Sequence, residues 1–172
     1  MDVYIAGKKV RLTASQSVGK GGEADVYRIG NDTVAKIFKQ PDHPDYANSS
    51  QEAEGARHRL KEHQAKLRAF PKIGGLPVVT PEELVTDAAG REVLGYTMAF
   101  IPQSEVLMRW SERSFRGATL ENNKVLEMFR SLRETVDVLH RDHKVVIGDF
   151  NDLNVLVTPN GIPTLIDADS FQ

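Results

Sequence analysis

Two acidic side chains and one amide side chain near the end of the sequence have the types and spacing of a metal-binding set. Asn154 lies five residues after Asp149, and Asp167 lies eighteen residues after it. Apolar triplets flank the first pair, at Val145–Ile147 and Val155–Val157. Carboxylates beside apolar residues are costly unless a cation meets them, and Mg²⁺ is the usual cation where oxygen ligands lie beside phosphates. The spacing therefore indicates a bound divalent cation, although Asp and Asn taken singly are also common turn and cap residues.

Upstream, a glycine-rich turn offers a second kind of site. Gly19, Gly21 and Gly22 carry no Cβ, so backbone N–H groups there could approach phosphate oxygens closely. The turn joins two predicted strands and does not open a helix, which argues against a dinucleotide fingerprint and against a P-loop. An ordinary hairpin turn is the alternative interpretation of the same residues.

A lysine lies inside the apolar strand predicted over Thr33–Phe38. Alternation along a strand puts Val34, Lys36 and Phe38 on one face. A lysine on a buried face needs an anion, whereas a lysine at a sheet edge can extend its amine into water. With the glycine-rich turn before it and the acidic set after it, Lys36 is a candidate phosphate ligand.

The elements that must position these residues follow from apolar periodicity and from breakers. Residues 9–39 predict an antiparallel meander, and a helix begins at Ser49 or Ser50, either of which can cap it, and ends near Ala69. The remaining predicted elements are a short strand near Glu83–Thr86, a long strand over Val93–Ile101, a helix over Leu120–His140 and a final hairpin that turns at Pro159–Gly161.

Composition limits the class of protein. The 172 residues are enough for one domain or two small lobes, and 40% hydrophobic with 27% charged residues is typical of a globular protein. The net charge of -2 gives no general bias toward nucleic acid or a membrane surface. The absence of cysteine excludes disulfides, thiolate nucleophiles and cysteine-bound zinc. No apolar run has the length of a membrane span and no signal peptide is evident, so we expect a cytoplasmic protein.

The order of these parts is the order that a protein kinase requires. From Val18 to its end, the sequence resembles the eukaryotic-like protein kinase superfamily. It looks most like a divergent bacterial subgroup whose kinase domain is often fused to helix-hairpin-helix DNA-binding segments. No such segment is evident in this sequence, so no direct nucleic-acid binding is expected. The motifs that carry the resemblance are Gly19–Tyr27 as the glycine-rich loop, Val34-Ala35-Lys36 as the strand lysine, Ile147-Gly148-Asp149 in the place of His-Arg-Asp, and Asp167-Ala168-Asp169 in the place of Asp-Phe-Gly.

The resemblance implies a protein-kinase-like fold of the α+β class. Residues 1–101 would form an N-lobe made of a five-stranded antiparallel sheet and one helix. Residues 102–172 would form the hinge exit and the beginning of a helical C-lobe that carries the catalytic and metal-binding loops. The sequence stops at Gln172, before an activation segment. We therefore expect a partner or a further domain to cover the incomplete C-lobe.

The resemblance also assigns roles, with ATP and Mg²⁺ as cofactors. Asp149 would be the catalytic base, Asn154 and Asp167 would bind Mg²⁺, and Lys36 would hold the α- and β-phosphates. The nucleotide-binding residues would be Gly19, Lys20, Gly21, Gly22, Val26, Lys36, Met98 and Phe100, the last two at the gatekeeper and adenine-binding hinge.

The partner of Lys36 is assigned by its position along the helix. In the superfamily, a glutamate on the helix after the strand fixes the lysine. Glu62 lies eight residues before Phe70, about where that glutamate lies relative to the helix end. Its separation from Lys36 requires an insertion around residues 41–50, and Glu54 is the second choice.

Three residues depart from the superfamily's pattern. Gly148 replaces an arginine that normally pairs with a phosphorylated activation loop, so no phosphate-dependent switch is expected there. Asn151, in the catalytic set, replaces a lysine that steadies the γ-phosphate. Because its amide carries no charge, we expect slow transfer or the use of another cation such as Lys20. Ala168 replaces a phenylalanine and removes buried apolar area unless neighbours fill the space.

Three functions are open at this point. The leading one is transfer of the γ-phosphate of ATP to serine or threonine of a protein. The second is a pseudokinase that binds nucleotide without chemistry, which Asn151 and the early end of the sequence favour and the complete acidic set opposes. The third is a small-molecule phosphotransferase of the aminoglycoside or choline type, against which Ile147 argues because those enzymes usually carry His-Gly-Asp.

Overall fold

A computed structural model of the protein describes residues 1–116 and 121–172. The described chain divides into two compact units. The first unit comprises Met1–Phe70 and Pro81–Phe100, and the second comprises Pro71–Thr80 and Ile101–Gln172. Within these described ranges, no helix combines the length and the apolar character that a bilayer crossing requires.

In the described residues, the first unit is built on a curled antiparallel sheet of seven strands, which lie side by side in the order β2-β1-β6-β7-β5-β4-β3. Strands β3 to β7 are the five that the resemblance implies, and the N-terminal hairpin β1–β2 adds two more beside β6. The strands are β1 (Asp2–Ile5), β2 (Lys8–Arg11), β3 (Ser17–Lys20), β4 (Ala24–Arg28), β5 (Thr33–Phe38), β6 (Leu84–Thr86) and β7 (Val93–Ala99).

Strand β5, which lies inside the sheet between β7 and β4, is buried on both faces, because different elements cover each. Phe38 packs in one apolar cluster with Leu60 and Tyr96. Ile37 packs in a second cluster with Val3, which is fully buried and belongs to the N-terminal hairpin. Successive side chains therefore enter opposite clusters, as strand alternation requires. Full burial of side chains of this size stabilises the fold by about 1.5–3 kcal/mol each, which holds β5 firmly in place.

One long helix, α1 (Ser50–Lys66), packs on this sheet. Ser49 caps it, since its hydroxyl accepts the N–H of Glu52 at 3.2 Å. The ring of His63 stacks on Phe38 with the centroids 4.3 Å apart. Residues three and four apart lie on the same face of a helix. The buried residues on the inward face of α1 are Ala56, Leu60, His63 and the capping residue Leu67.

The described part of the second unit combines helices with a small antiparallel sheet in the order β10-β9-β8. The segment 71–80 lies along β10, because Val79 N–H donates to the Leu165 carbonyl at 2.8 Å and Leu165 N–H donates to Pro77 at 2.9 Å. The elements are β8 (Glu105–Val106), α2 (Leu107–Ser111), α3 (Arg113–Arg116), α4 (Asn122–Val138), a π-helical turn (Leu139–His143), β9 (Val155–Val157) and β10 (Pro163–Leu165).

Helix α4 corresponds to the helix predicted over Leu120–His140, of which Leu120 lies outside the described residues. Met128 and Leu132 are buried on its inner face. Leu126 and Phe129, both in the apolar repeat that predicted the helix, are about half exposed. Apolar periodicity therefore located the helix, while burial divides its apolar residues into two sets.

Candidate functional site

The glycine-rich turn connects β3 to β4 in the first unit. Gly21 N–H donates to the Ala24 carbonyl at 2.9 Å, which closes a tight turn. The two glycine carbonyls are held from outside: Gly21 accepts from the amine of Lys39, and Gly22 accepts from the hydroxyl of Tyr46 at 2.9 Å. The turn is therefore fixed through its oxygens, and Lys20 between the glycines is exposed.

Lys36 lies at the middle of β5 with Val26 of β4 on one side and Tyr96 of β7 on the other. Its side chain is buried, with 8% of the residue exposed, and its Nζ lies 5.8 Å from the centre of the Tyr96 ring. Gly95 allows β7 to approach, because a Cβ at Gly95 would overlap the carbonyl oxygen of Lys36. The sequence allowed two environments for Lys36, a buried face or a sheet edge, and the structure places it on a buried face.

Glu62 is not on the inward face of α1. Its side chain is 68% exposed, and its Oε1 lies 3.7 Å from Nδ1 of His58, one helical turn earlier. The inward stripe runs through Leu60 and His63, and a residue between them points elsewhere because successive helical residues turn by about 100°. The assignment of Glu62 as the partner of Lys36 therefore has no support in the structure. The distance of Glu62 from the helix end predicted its place along α1, but it did not predict which face of α1 carries the side chain.

The residues expected to contact adenine differ in their surroundings. Met98 is half buried and packs against the cluster of Phe38 and Tyr96. The ring of Phe100 is covered by the guanidinium of Arg28, 3.8 Å from its centre. The backbone N–H of Phe100 donates to a carbonyl within the same unit at 2.9 Å. Phe100 therefore has a packing role of its own, whatever else it contacts.

In the second unit, a loop from Asp149 to Asn154, which we name the Asp149 loop, is held by its own side chains. The amide of Asn151 donates to Asp149 Oδ1 at 2.8 Å, and the amide of Asn154 donates to Asp149 Oδ2 at 3.0 Å. The Oδ1 atom of Asn151 accepts the N–H groups of Leu153 at 2.9 Å and Asn154 at 3.2 Å. Both carboxylate oxygens of Asp149 are therefore oriented, while the side chain itself is exposed.

The β9–β10 hairpin brings Asp167 near the end of this loop. Ile166 N–H donates to the carbonyl of Asn154 at 3.0 Å, so Asp167 follows the residue that lies opposite Asn154. Asp167 adopts the left-handed conformation, with φ 65° and ψ 38°. A residue other than glycine in this region costs on the order of 1 kcal/mol and is frequent at functional sites. Its carbonyl accepts from the Ser170 hydroxyl at 2.9 Å, which stabilises the turn.

The structure gives a physical reason for Gly148. A Cβ at this position would overlap the carbonyl oxygen of Ser170. The approach is close because Val146 and Gln172 exchange two backbone hydrogen bonds, at 2.7 and 2.8 Å. A side chain such as arginine does not fit there. Ala168, which stands where the superfamily has a phenylalanine, is fully buried, so neighbouring atoms fill the space around it.

The side-chain oxygens of Asn154 and Asp167 suit Mg²⁺ better than a cation whose ligands all come from the protein. In residues 1–116 and 121–172, no group of three or more His, Cys, Asp or Glu side chains has the arrangement of a metal site. Asn154 uses its amide nitrogen on Asp149, which leaves its Oδ1 as the atom to face a cation, and Asp167 supplies a carboxylate. Mg²⁺ is commonly bound by one or two protein oxygens, with water and phosphate completing its shell, so the residues fit that ion.

Two residues that hold the glycine-rich turn were not singled out from the sequence. Lys39 directly follows β5, and Tyr46 ends a short 3₁₀ turn, Pro44–Tyr46. Both are buried, with 6% and 7% of the residue exposed. No periodicity or motif marks them, because each contacts a glycine carbonyl about twenty positions earlier in the chain.

Comparison with known proteins agrees with this architecture. No family model matches the chain. Two curated relatives, both called Protein kinase YegI, come from Escherichia coli O157:H7 and Escherichia coli strain K12 and are each 26% identical to it, over 168 and 167 residues. The alignments cover 94% and 93% of this chain but 24% and 23% of the relatives, so the chain spans about a quarter of their length.

A solved structure of a protein kinase domain has a similar fold. The kinase domain of maize SIRK1 (sucrose-induced receptor kinase 1), bound to AMP-PNP, superimposes with a TM-score of 0.61 at 16% sequence identity. The superposition covers 96% of this chain and 57% of the maize chain. With its curled antiparallel sheet and its helix on that sheet, the chain has a protein-kinase-like fold, and its sequence is similar to that of the two YegI protein kinases.

Proposed function

We propose that this chain binds Mg²⁺·ATP and is part of a protein kinase that transfers the γ-phosphate to serine or threonine. The observation that carries the proposal is the Asp149 loop, in which both carboxylate oxygens of Asp149 are oriented by amide donors. A carboxylate that is oriented and exposed can accept a proton from a substrate hydroxyl. The AMP-PNP bound to the maize kinase domain supports a nucleotide as the second substrate.

In the proposed reaction, the substrate hydroxyl oxygen forms a bond to the γ-phosphorus while the bond from that phosphorus to the bridging oxygen of ADP breaks. Asp149 takes the hydroxyl proton. Asn154 and Asp167 would hold Mg²⁺, which when bound supplies positive charge to the phosphates. Asn151 keeps Asp149 in position, since its amide donates to Oδ1 of that residue.

The first unit would hold the nucleotide. The backbone of the glycine-rich turn would face the phosphates, and the amine of Lys36, carried on a strand buried on both faces, would neutralise part of their charge.

A transfer assay tests the proposal. The 172-residue protein is incubated with γ-labelled ATP, Mg²⁺ and a generic protein substrate. We expect Asp149→Asn to reduce label transfer by about 10²–10⁴-fold, the range for loss of a general base. Asp152→Asn is the matched control, since Asp152 is an exposed acid of the same loop, and its transfer rate should equal that of the unaltered protein. Equal rates for all three proteins would contradict the role of Asp149.

A second candidate is a pseudokinase, which binds ATP without transferring phosphate. Asn151 favours it, because this residue stands where the superfamily has a lysine that steadies the γ-phosphate, and its uncharged amide donates to Asp149. Calorimetry separates the two functions. Micromolar binding of ATP with no transfer by the unaltered protein would support the pseudokinase, whereas transfer that Asp149→Asn abolishes would exclude it.

A further inference from the structure

A buried amine holds one carbonyl of the glycine-rich turn. Lys39 is 6% exposed, and its Nζ donates to the carbonyl oxygen of Gly21 and to Oδ2 of Asp45. Oδ1 of Asp25 lies 3.9 Å from the same nitrogen. A charged amine is removed from water only where acceptors surround it, and here two carboxylates and a carbonyl do so. The amine is therefore fixed, and Gly21 is fixed with it.

A buried tyrosine holds the next carbonyl. The hydroxyl of Tyr46 donates to Gly22 at 2.9 Å, and the residue is 7% exposed. Its 3₁₀ turn is itself capped, because Nδ1 of His43 accepts the N–H of Asp45 at 3.2 Å. The side chain that follows the glycines is also held, since Glu23 lies 3.3 Å from the guanidinium of Arg59 on α1.

Fixing these two oxygens fixes the two N–H groups that follow them. In a planar trans peptide, the C=O of one residue and the N–H of the next point in opposite directions. With the carbonyls of Gly21 and Gly22 directed to Lys39 and Tyr46, the N–H groups of Gly22 and Glu23 are directed away from those two side chains. Successive N–H groups that point to one side form a site for an anion. Without such anchors, glycines would sample many conformations and lose this arrangement.

We propose that Lys39, Asp45 and Tyr46 form a clamp that positions the glycine-rich turn for the phosphates of ATP. The clamp is a set of positioning residues, and it rests on the proposed nucleotide-binding function. Its members come from the segment after β5, which the sequence suggested was an insertion around residues 41–50. The clamp gives that segment a role, because it carries both Asp45 and Tyr46 to the turn.

The protonation state of the clamp is consistent with this role. Burial lowers the pKa of Lys39, but the hydrogen bond to Asp45 and the charges of Asp25 and Asp45 outweigh burial and raise it above the ordinary lysine value. The amine therefore stays charged at neutral pH and keeps its full hydrogen-bonding capacity.

The mildest test is Tyr46→Phe, which removes one hydroxyl from a buried ring, with Tyr4→Phe on β1 as the matched control. Hydrogen exchange of the Gly21 N–H, which donates to the Ala24 carbonyl, is measured without nucleotide, and affinities for Mg²⁺·ATP and for adenosine are measured by calorimetry. We expect faster exchange at the turn and about fivefold weaker ATP binding, the effect of one lost hydrogen bond. Adenosine, which has no phosphate, should bind unchanged, and the control should match the unaltered protein.

A stronger test removes the amine. Lys39→Met should accelerate exchange at the turn further and weaken ATP binding by more than tenfold, since this hydrogen bond is made by a charged group. Lys9→Met is the control, because Lys9 forms an exposed ion pair with Asp2 at 2.8 Å in the same unit. Should Lys39→Met fail to fold, Tyr46→Phe alone decides the question.

The outcomes separate the two proposals. If the unaltered protein does not bind ATP, the proposed function is overturned. If it binds ATP and Tyr46→Phe changes neither exchange at the turn nor ATP affinity, the clamp alone is overturned. Equal losses of ATP and adenosine affinity would also overturn the clamp, because they would show general damage to the unit.

Discussion

The two loops that carry the proposed chemistry are held in different ways. The glycine-rich turn is fixed by Lys39 and Tyr46, which lie 18 and 24 residues from the carbonyls they contact. The Asp149 loop is fixed by Asn151 and Asn154, which lie two and five residues from Asp149. The first arrangement depends on the packing of a whole unit, whereas the second depends on a few consecutive residues. Damage to distant packing should therefore release the first loop and leave the second intact.

The largest effect is expected where the Asp149 loop does depend on a distant residue. Gly148→Ala would place a Cβ on the carbonyl oxygen of Ser170, and relief requires breaking the backbone pairing of Val146 with Gln172. We expect a loss of about 3 kcal/mol of stability, at the upper end for overpacking, measured by urea unfolding. Gly74→Ala is the control, since a Cβ there meets nothing within 4 Å. An unchanged midpoint for Gly148→Ala would contradict the steric account of this glycine.

An intermediate effect is expected from the loop's own amide. Asn151→Ala removes three hydrogen bonds, one to Asp149 and two from the N–H groups of Leu153 and Asn154. We expect local stability to fall by about 1–2 kcal/mol, seen as 5- to 30-fold faster hydrogen exchange at these N–H groups. Exchange at the glycine-rich turn should not change.

Asn160→Ala, in an exposed turn of the same unit, is the control for that experiment. If Asn151→Ala also accelerated exchange at the glycine-rich turn, the Asp149 loop would not be locally determined, and the contrast between the two loops would be lost.

The smallest effect is expected from acid, and only at the first loop. The hydrogen bond from Lys39 holds the pKa of Asp45 below its ordinary value of 3.8; slight burial opposes this, and the charges of Lys39, His43 and Lys20 reinforce it. A carboxyl whose pKa is lowered in the folded state stabilises the fold above the ordinary value, and this contribution is lost as the pH falls through the lowered value. The clamp should therefore loosen only below pH 3.8.

The amide chemical shifts of Gly21 and Gly22, followed by NMR from neutral pH downward, measure this loosening. Asp45→Asn should remove the acid transition at these amides. A transition of the same size in that variant would mean that another group controls the turn.

Much of the fold could be predicted from the sequence. The strand Thr33–Phe38 was predicted with the bounds of β5, and of the two predicted cap residues, Ser49 and Ser50, the structure has Ser49 at the start of α1. These features depend on alternation and capping, which act over a few residues. Strand β2 overlaps the predicted run that begins at residue 9, but β1 was not predicted, and neither was its pairing with β6, in which Tyr4 lies opposite Thr86. That pairing joins residues far apart in the chain, and periodicity does not record it.

The candidate site also has some features that the sequence determined and others that only the tertiary structure decided. The sequence by itself determined the Asp149 loop, because its donors and acceptors are neighbours, and the order of the parts indicated the superfamily. Only the tertiary structure decided that Glu62 faces outward and that Gly148 is required by Ser170. It also decided that Lys39 and Tyr46 hold the glycine-rich turn. The reason is that local hydrogen bonds follow from residue types and spacing, whereas contacts across many residues follow from which face of each element is buried and from how strands pair.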